Sequence, residues 1–189
     1  MRPSVLSLLF VTFIHFVCLA QIPAGNMQWA KGINNTYVFS RAPKSSVVSV
    51  RNERNSLGDT QPAFPKSLDH LVDPWVIKYR TTRLDNAKLL SNIAGVFSAG
   101  QLEELKNERL ILRLYFSDSG DLLEVSFALW PASRITIKEI NAIENQLRKN
   151  LKLAILTDDM KGSTFLQYNK TVYFRDLKGI IHNQTGNRR

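Results

Sequence analysis

The sequence predicts an α+β fold, a small antiparallel sheet covered on one face by helices. Three observations predict it. Two alternating apolar runs, "LILRLYF" and "LLEVSFAL", meet around Ser119-Gly120. A helix start, "TIKEINAIENQL", follows them, and a further alternating run, "TVYFRD", comes later. A hairpin with one apolar face needs a cover, and an amphipathic helix next in the chain supplies one.

Residues 1–20, "MRPSVLSLLFVTFIHFVCLA", precede that domain. Arg2 gives a positive start, the run from Val5 to Val17 an apolar core, and Cys18-Leu19-Ala20 a small-x-small cleavage site. A secretory signal peptide cleaved after Ala20 is expected. The run is shorter than the ~20 apolar residues that span a bilayer. Retention as a membrane anchor through residues 5–20 is the alternative. Acylation at Cys18 is disfavoured, because His15, Phe16 and Val17 are bulky where small residues are expected. Cleavage would remove the single cysteine. The mature chain would then be free of disulfides, which suits a periplasmic or secreted bacterial protein with no stable transmembrane segment.

Residues 21–66 are polar and weakly patterned, with Pro62 and Pro65 near their end. They are expected as an extended or partly disordered arm, with one short strand at "TYVFS". Residues 67–182 form the α+β domain and 183–189 a tail. In the domain, residues 75–79, "WVIKY", read as a strand after Pro74. Asp85 caps a helix that runs to Ala94, with Gly95 as a left-handed terminator. Ser98 and Gln101 make a capping box, stapled by Phe97 and Leu102, for a helix ending near Asn107.

The hairpin follows. Leu110, Leu112, Leu114 and Phe116 share one face, as do Leu123, Val125, Phe127 and Leu129 on the return. A two-residue loop at Ser119-Gly120 would pair Asp118 with Asp121, Phe116 with Leu123 and Leu114 with Val125, with Gly120 at positive φ. Thr136 and Glu139 form a second capping box, stapled by Ile135 and Ile140. Ile140, Ile143, Leu147 and Leu151 make the apolar stripe, Glu144 precedes Arg148 by four, and Asn150 ends the helix. Residues 151–156 return to strand pattern, 157–163 are a loop, and 164–176 a last strand.

Strand, glycine turn, strand, capped helix and closing strand, in "LILRLYFSDSGDLLEVSFAL", "TIKEINAIENQLRKNLKLAI" and "TVYFRDL", resemble the carboxy-terminal domain of TonB over about residues 108–177. The pattern is also similar to small exported proteins of Bacteroides-type bacteria. The resemblance implies a ββαβ core and a binding mode in which a partner's extended segment pairs along an open strand edge. Thr171, Tyr173 and Arg175 on the closing strand would then meet the partner, an envelope protein or an extended peptide segment. TonB's energy transduction is not expected, for there is no proline-rich spacer, and Ser7 and His15 lie about 80° apart around a helix.

The chain carries a formal charge of +9, but its basic residues are scattered, and no nucleic-acid partner is expected. Catalytic chemistry needs converging groups. His70 and His182 stand far apart in sequence, while Glu103-Glu104 and Asp158-Asp159 are adjacent pairs, which do not converge as an acid and base must. Ser98 fits a helix cap better than a nucleophile elbow. No catalytic residue, metal site or cofactor is expected. On the outward sheet face, Arg113, Tyr115 and Trp130, with Arg109, Tyr173 and Arg175, form either an exposed aromatic-basic platform or the floor beneath an arm carrying Phe64 and Trp75. The expected function is a non-enzymatic exported envelope protein acting as a binding or scaffold domain. The alternative is a small envelope enzyme or enzyme inhibitor whose site has no sequence signature.

Overall fold

The computed structural model describes residues 27–68 and 74–186 and, for residues 74–75 and 181–186, the backbone alone. Its centre is a six-stranded antiparallel sheet. The strands are β1 (Met27–Lys31), β2 (Thr36–Ser40), β3 (Val48–Asn52), β5 (Arg109–Phe116), β6 (Leu122–Leu129) and β8 (Leu166–Tyr173), in the order β1-β2-β3-β6-β5-β8. A separate two-stranded sheet pairs β4 (Thr82–Leu84) with β7 (Leu153–Ile155). The helices are α1 (Pro74–Thr81), α2 (Asn86–Ala94), α3 (Ala99–Glu104), α4 (Ile137–Asn150) and α5 (Phe174–Gly186). The α+β class expected from sequence is the class observed.

The central hairpin sets the core. Leu110, Leu112, Leu114 and Phe116 of β5 are buried, as are Val125, Phe127 and Leu129 of β6. Leu114 faces Val125, as the alternation requires. The return differs at its start: a bulge after Tyr115 sets Phe116 opposite Leu122, which leaves Leu123 half exposed. The extra residue belongs to a wider turn, in which Ser117 N–H donates to the Asp121 carbonyl and Gly120 N–H to that of Ser117. Gly120 has the expected positive φ, 87°.

Helices cover the face carrying these residues. α2 lies between α4 and α5, and α3 packs on α5. Both capping boxes form, Ser98 with Gln101 and Thr136 with Glu139, and their staple residues Phe97, Leu102, Ile135 and Ile140 are buried. Such a cap contributes about 1 kcal/mol, because it satisfies amide donors that the first turn cannot. Asp85 caps α2 through the Lys88 amide, but Gly95 ends it in right-handed conformation at φ −64° rather than left-handed. α3 stops at Glu104, three residues short of Asn107.

Three segments depart further from expectation. Residues 75–79 are helical, not a strand, and the Thr81 hydroxyl accepts its place in that helix by donating to the Ile77 carbonyl. Pro74 explains the choice, since proline at the first helical position costs no hydrogen bond and fixes a suitable φ. Residues 27–52 of the expected arm are three strands of the main sheet, of which β2 is the short strand expected at "TYVFS" and β1 and β3 are additional, with Val50 opposite Phe127 and Val48 opposite Leu129. The last strand ends at Tyr173. Phe174, Leu177 and Ile180 then follow a helical spacing, which buries the first two and carries α5 through the expected tail to Gly186. β7 forms its ladder with β4 rather than in the main sheet, though Leu153 is still buried in the core.

One polar network ties the added strands to the helical layer. The buried Tyr37 hydroxyl donates to Glu144 Oε2 at 2.6 Å, and Arg148 holds the other oxygen of that buried carboxylate through Nη2 at 2.8 Å. A buried carboxylate without such partners would be costly, so β2 and α4 are fixed in register by it.

Candidate functional site

The sheet's second face carries no α-helix among the described residues, only the single 3-10 turn Leu57–Asp59. Opposed residues share a face, so the pairings define two rows across all six strands. One runs Trp29, Val38, Arg51, Ser126, Arg113, Asn169 and the other Met27, Ser40, Ser49, Ala128, Ile111, Thr171. The middle of both rows is lined by short side chains, and long ones stand at the sides. A trough of about 340 Å³ results, with Gly58 and Asp59 at its end. Asp59 is bonded to Arg51 at 2.5 Å. Arg113 is exposed and makes no ion pair among the described residues. Ser126 is only 9% exposed.

Above this trough the expected platform divides. Tyr115 points to the outer face, yet it is 1% exposed. The segment 56–64 crosses it: the Ser56 and Leu57 amides donate to the Glu124 carboxylate, each at 2.9 Å, and Ala63 N–H donates to Thr164 Oγ1. Phe165 meets the Tyr115 ring edge-on at 5.5 Å. Burial raises the phenol's pKa, with Arg113 acting in the opposite direction. Tyr115 is therefore a covered residue, not an exposed contact, and the covering segment is the one that carries Phe64. The side chain of Trp75 lies outside the described residues. Trp130 and Tyr173 remain accessible, bridged by Arg109, which is opposite Tyr173 and 3.9 Å over the Trp130 ring.

The expected strand edge is also resolved into parts. β8 is the terminal strand of the sheet. Phe174 N–H donates to the Glu108 carbonyl, the pair next after Arg109–Tyr173. Antiparallel ladders alternate, so the amides of Val172, Lys170 and Tyr168 also face β5, and those of Tyr173, Thr171, Asn169 and Gln167 face away. A second contact agrees with this phase: Lys78 of α1 donates to the Gln167 carbonyl at 2.6 Å from outside the sheet. α1 thus seals one end of the edge. Asn169, Thr171 and Tyr173 hold the open remainder, with Thr171 and Tyr173 exposed as the alternation implies. Arg175 does not belong to it; it lies in α5, with its guanidinium 5.1 Å from the Tyr173 ring.

No group of three or more His, Cys, Asp or Glu side chains able to hold a metal occurs among the described residues. No helix among them is long and apolar enough to cross a membrane. Residues 1–20 and His70 lie outside the described residues, as does the His182 side chain. The trough residues from β2 and β3 escaped the sequence reading, because the arm gave no sign of joining the sheet. The alternation "VSV" at residues 48–50 was the available signal.

No family model matches the chain, and no curated protein matches it. The crystal structure of a DUF5043 family protein from Bacteroides uniformis ATCC 8492, at 1.85 Å resolution, is similar to it with a TM-score of 0.63 and 14% identity. The likeness covers 81% of this chain and 91% of that one. At that identity it concerns the fold alone, and it does not support the TonB-like fold that the sequence resemblance implied.

Proposed function

We propose that the protein is an exported, non-enzymatic binding protein of the bacterial envelope that captures an extended segment of a partner along β8. The observation that carries this reading is the free edge from Asn169 to Tyr173, whose outward amides and carbonyls have no strand beside them among the described residues. Unpaired edge groups are templates for pairing. A peptide laid against them gains main-chain hydrogen bonds, while Thr171 and Tyr173 discriminate among its side chains. The amino-terminal pattern of Arg2, an apolar run and Cys18-Leu19-Ala20 supports export.

Peptides selected from a randomised displayed library provide the test. Thr171→Pro removes an outward donor without touching the ladder to β5, so the melting temperature should stay near that of the wild type. Selected peptides should bind this variant at least tenfold more weakly and, on the wild type, should protect the Asn169, Thr171 and Tyr173 amides from hydrogen exchange. Peptides that bind Thr171→Pro undiminished would overturn the assignment.

A further inference from the structure

We infer that the trough on the sheet's outer face is a second binding site, independent of strand capture at β8, for a short uronic-acid oligosaccharide anchored by a carboxylate on Arg113. Ser126 is the first reason. It is nine-tenths buried at the bottom of the trough, yet its hydroxyl has no hydrogen-bond partner among the described residues. That hydroxyl opens on the trough, where it can both donate to and accept from a ligand's polar group.

Arg113 is the second. It stands opposite Ser126 on the neighbouring strand. Arg51, on the other side of Ser126 and about 10 Å from Arg113 at two strand spacings, is already neutralised by Asp59. Glu124, the other carboxylate of this face, is committed to the Ser56 and Leu57 amides. Of the two guanidinium groups that line the trough, Arg113 is therefore the one left to take a carboxylate, which it can grip through two parallel N–H donors.

The rest of the trough selects the class of anion. Ser40, Ser49 and Ser126 each donate and accept, as sugar hydroxyls do. Asn169 accepts from Gln167 through Oδ1, which leaves its amide protons as donors. An acidic peptide fits less well, because β3, β6 and β5 are all interior strands, and their paired backbones offer nothing to a peptide main chain. At the far rim Trp29 and Met27 are 58% and 57% exposed, a flat apolar surface for the C–H face of a sugar ring. Arg113 and Trp29 are four strands apart, about 19 Å, so a short chain of rings spans the site better than one ring does.

Calorimetric titration with trigalacturonate, a neutral trisaccharide and triglutamate tests the assignment. Trigalacturonate should bind, and both other probes should bind at least tenfold more weakly. Arg113→Gln, at an exposed position, should weaken trigalacturonate by at least tenfold. Ser126→Val, which fills the trough floor with a residue suited to a strand, should do the same. Both variants should melt with the wild type, and Arg83→Gln on β4 should bind normally. No binding of trigalacturonate at millimolar concentration would overturn the proposal. So would binding indifferent to Arg113→Gln, equal affinity for the neutral trisaccharide, or equal affinity for triglutamate.

Discussion

Two glycines with nearly the same positive φ allow steric approach to be separated from strain. Gly120 has φ +87° and Gly162 φ +88°. An alanine at either position incurs the left-handed penalty, about 1–2 kcal/mol, offset by about 0.5–1 kcal/mol from a less flexible unfolded chain. Gly162→Ala should end there, since a Cβ at that position meets nothing within 4 Å. At Gly120 a Cβ would lie 2.2 Å from the Leu153 carbonyl oxygen, against an ordinary C···O contact of about 3.3–3.6 Å. The hairpin turn and β7 would have to separate by about 1 Å, which strains a bond from Leu153 N–H to the Gly120 carbonyl, 2.9 Å long. Losing that bond costs about 0.5–1.5 kcal/mol and the overpacking about 1–3 kcal/mol. Gly120→Ala should therefore be less stable than Gly162→Ala by about 2–4 kcal/mol. In urea, with a slope of about 2 kcal/mol/M, its midpoint should lie about 1–2 M lower. Equal midpoints would refute the close approach of the turn to β7, and with it the placement of the small sheet against the large one.

Two titrating groups give further tests. Tyr37→Phe removes the donor to the buried Glu144 carboxylate and should cost about 1.5–3 kcal/mol in the same titration. Burial, then the bond to Glu144 and its charge, raises the Tyr37 pKa above its ordinary 10.0. The stability linked to its proton is complete below about pH 10 and is lost as the pH rises through the raised value. Tyr37→Phe should accordingly flatten the alkaline loss of stability, though not abolish it, because burial also raises Tyr115 and Tyr168. An unchanged alkaline slope would contradict the network. Glu103, bonded by Lys106 and then by Lys178 of α5, is lowered to about 2. Its contribution is present above its ordinary 4.5 and is lost as the pH falls toward 2. Carboxyl NMR should find this midpoint low, and Lys178→Ala should raise it part of the way, with Lys106 retaining the larger share. A midpoint that ignores Lys178→Ala would mean that the α3–α5 bridge does not form.

The sequence makes legible whatever one repeat period decides. β5 is eight residues with four apolar positions on one side, and all four are buried. Thr136, Glu139, Ile135 and Ile140 mark a helix start by side-chain chemistry that acts over at most five residues, and it forms as read. β1, β2 and β3 are five residues each with one face toward solvent. Only two or three positions in such a strand carry an apolar signal, and the intervening Ser49 and Arg51 resemble loop composition. Their place in the sheet comes from pairing with β6, a contact more than seventy residues away in sequence. The ambiguity at residues 174–177 has a different origin. Phe174 closes an alternating run and also opens a helical one with Leu177, and the helix prevails because its spacing buries both against α2 and α3. Thr171 and Tyr173 were legible as outward by parity alone. Whether Tyr115 was open could not follow from parity, since the segment that covers it crosses from elsewhere in the chain.

The two proposed sites meet at Asn169. Its backbone amide and carbonyl face the free edge, while its side chain lines the trough. A strand added at β8 would place its own side chains in line with the rows that end at Asn169 and Thr171, lengthening the trough by one spacing of about 4.8 Å. The variants separate the two because each acts on one set of groups. Thr171→Pro deletes an edge donor two residues from Asn169, leaving the guanidinium of Arg113 and the hydroxyl of Ser126 in place. Arg113→Gln removes the anion's anchor from a strand whose backbone is bonded on both sides and cannot alter the β8 edge. Loss of peptide binding in the first and of trigalacturonate binding in the second, without crossover, is the pattern that two adjacent but chemically separate sites require.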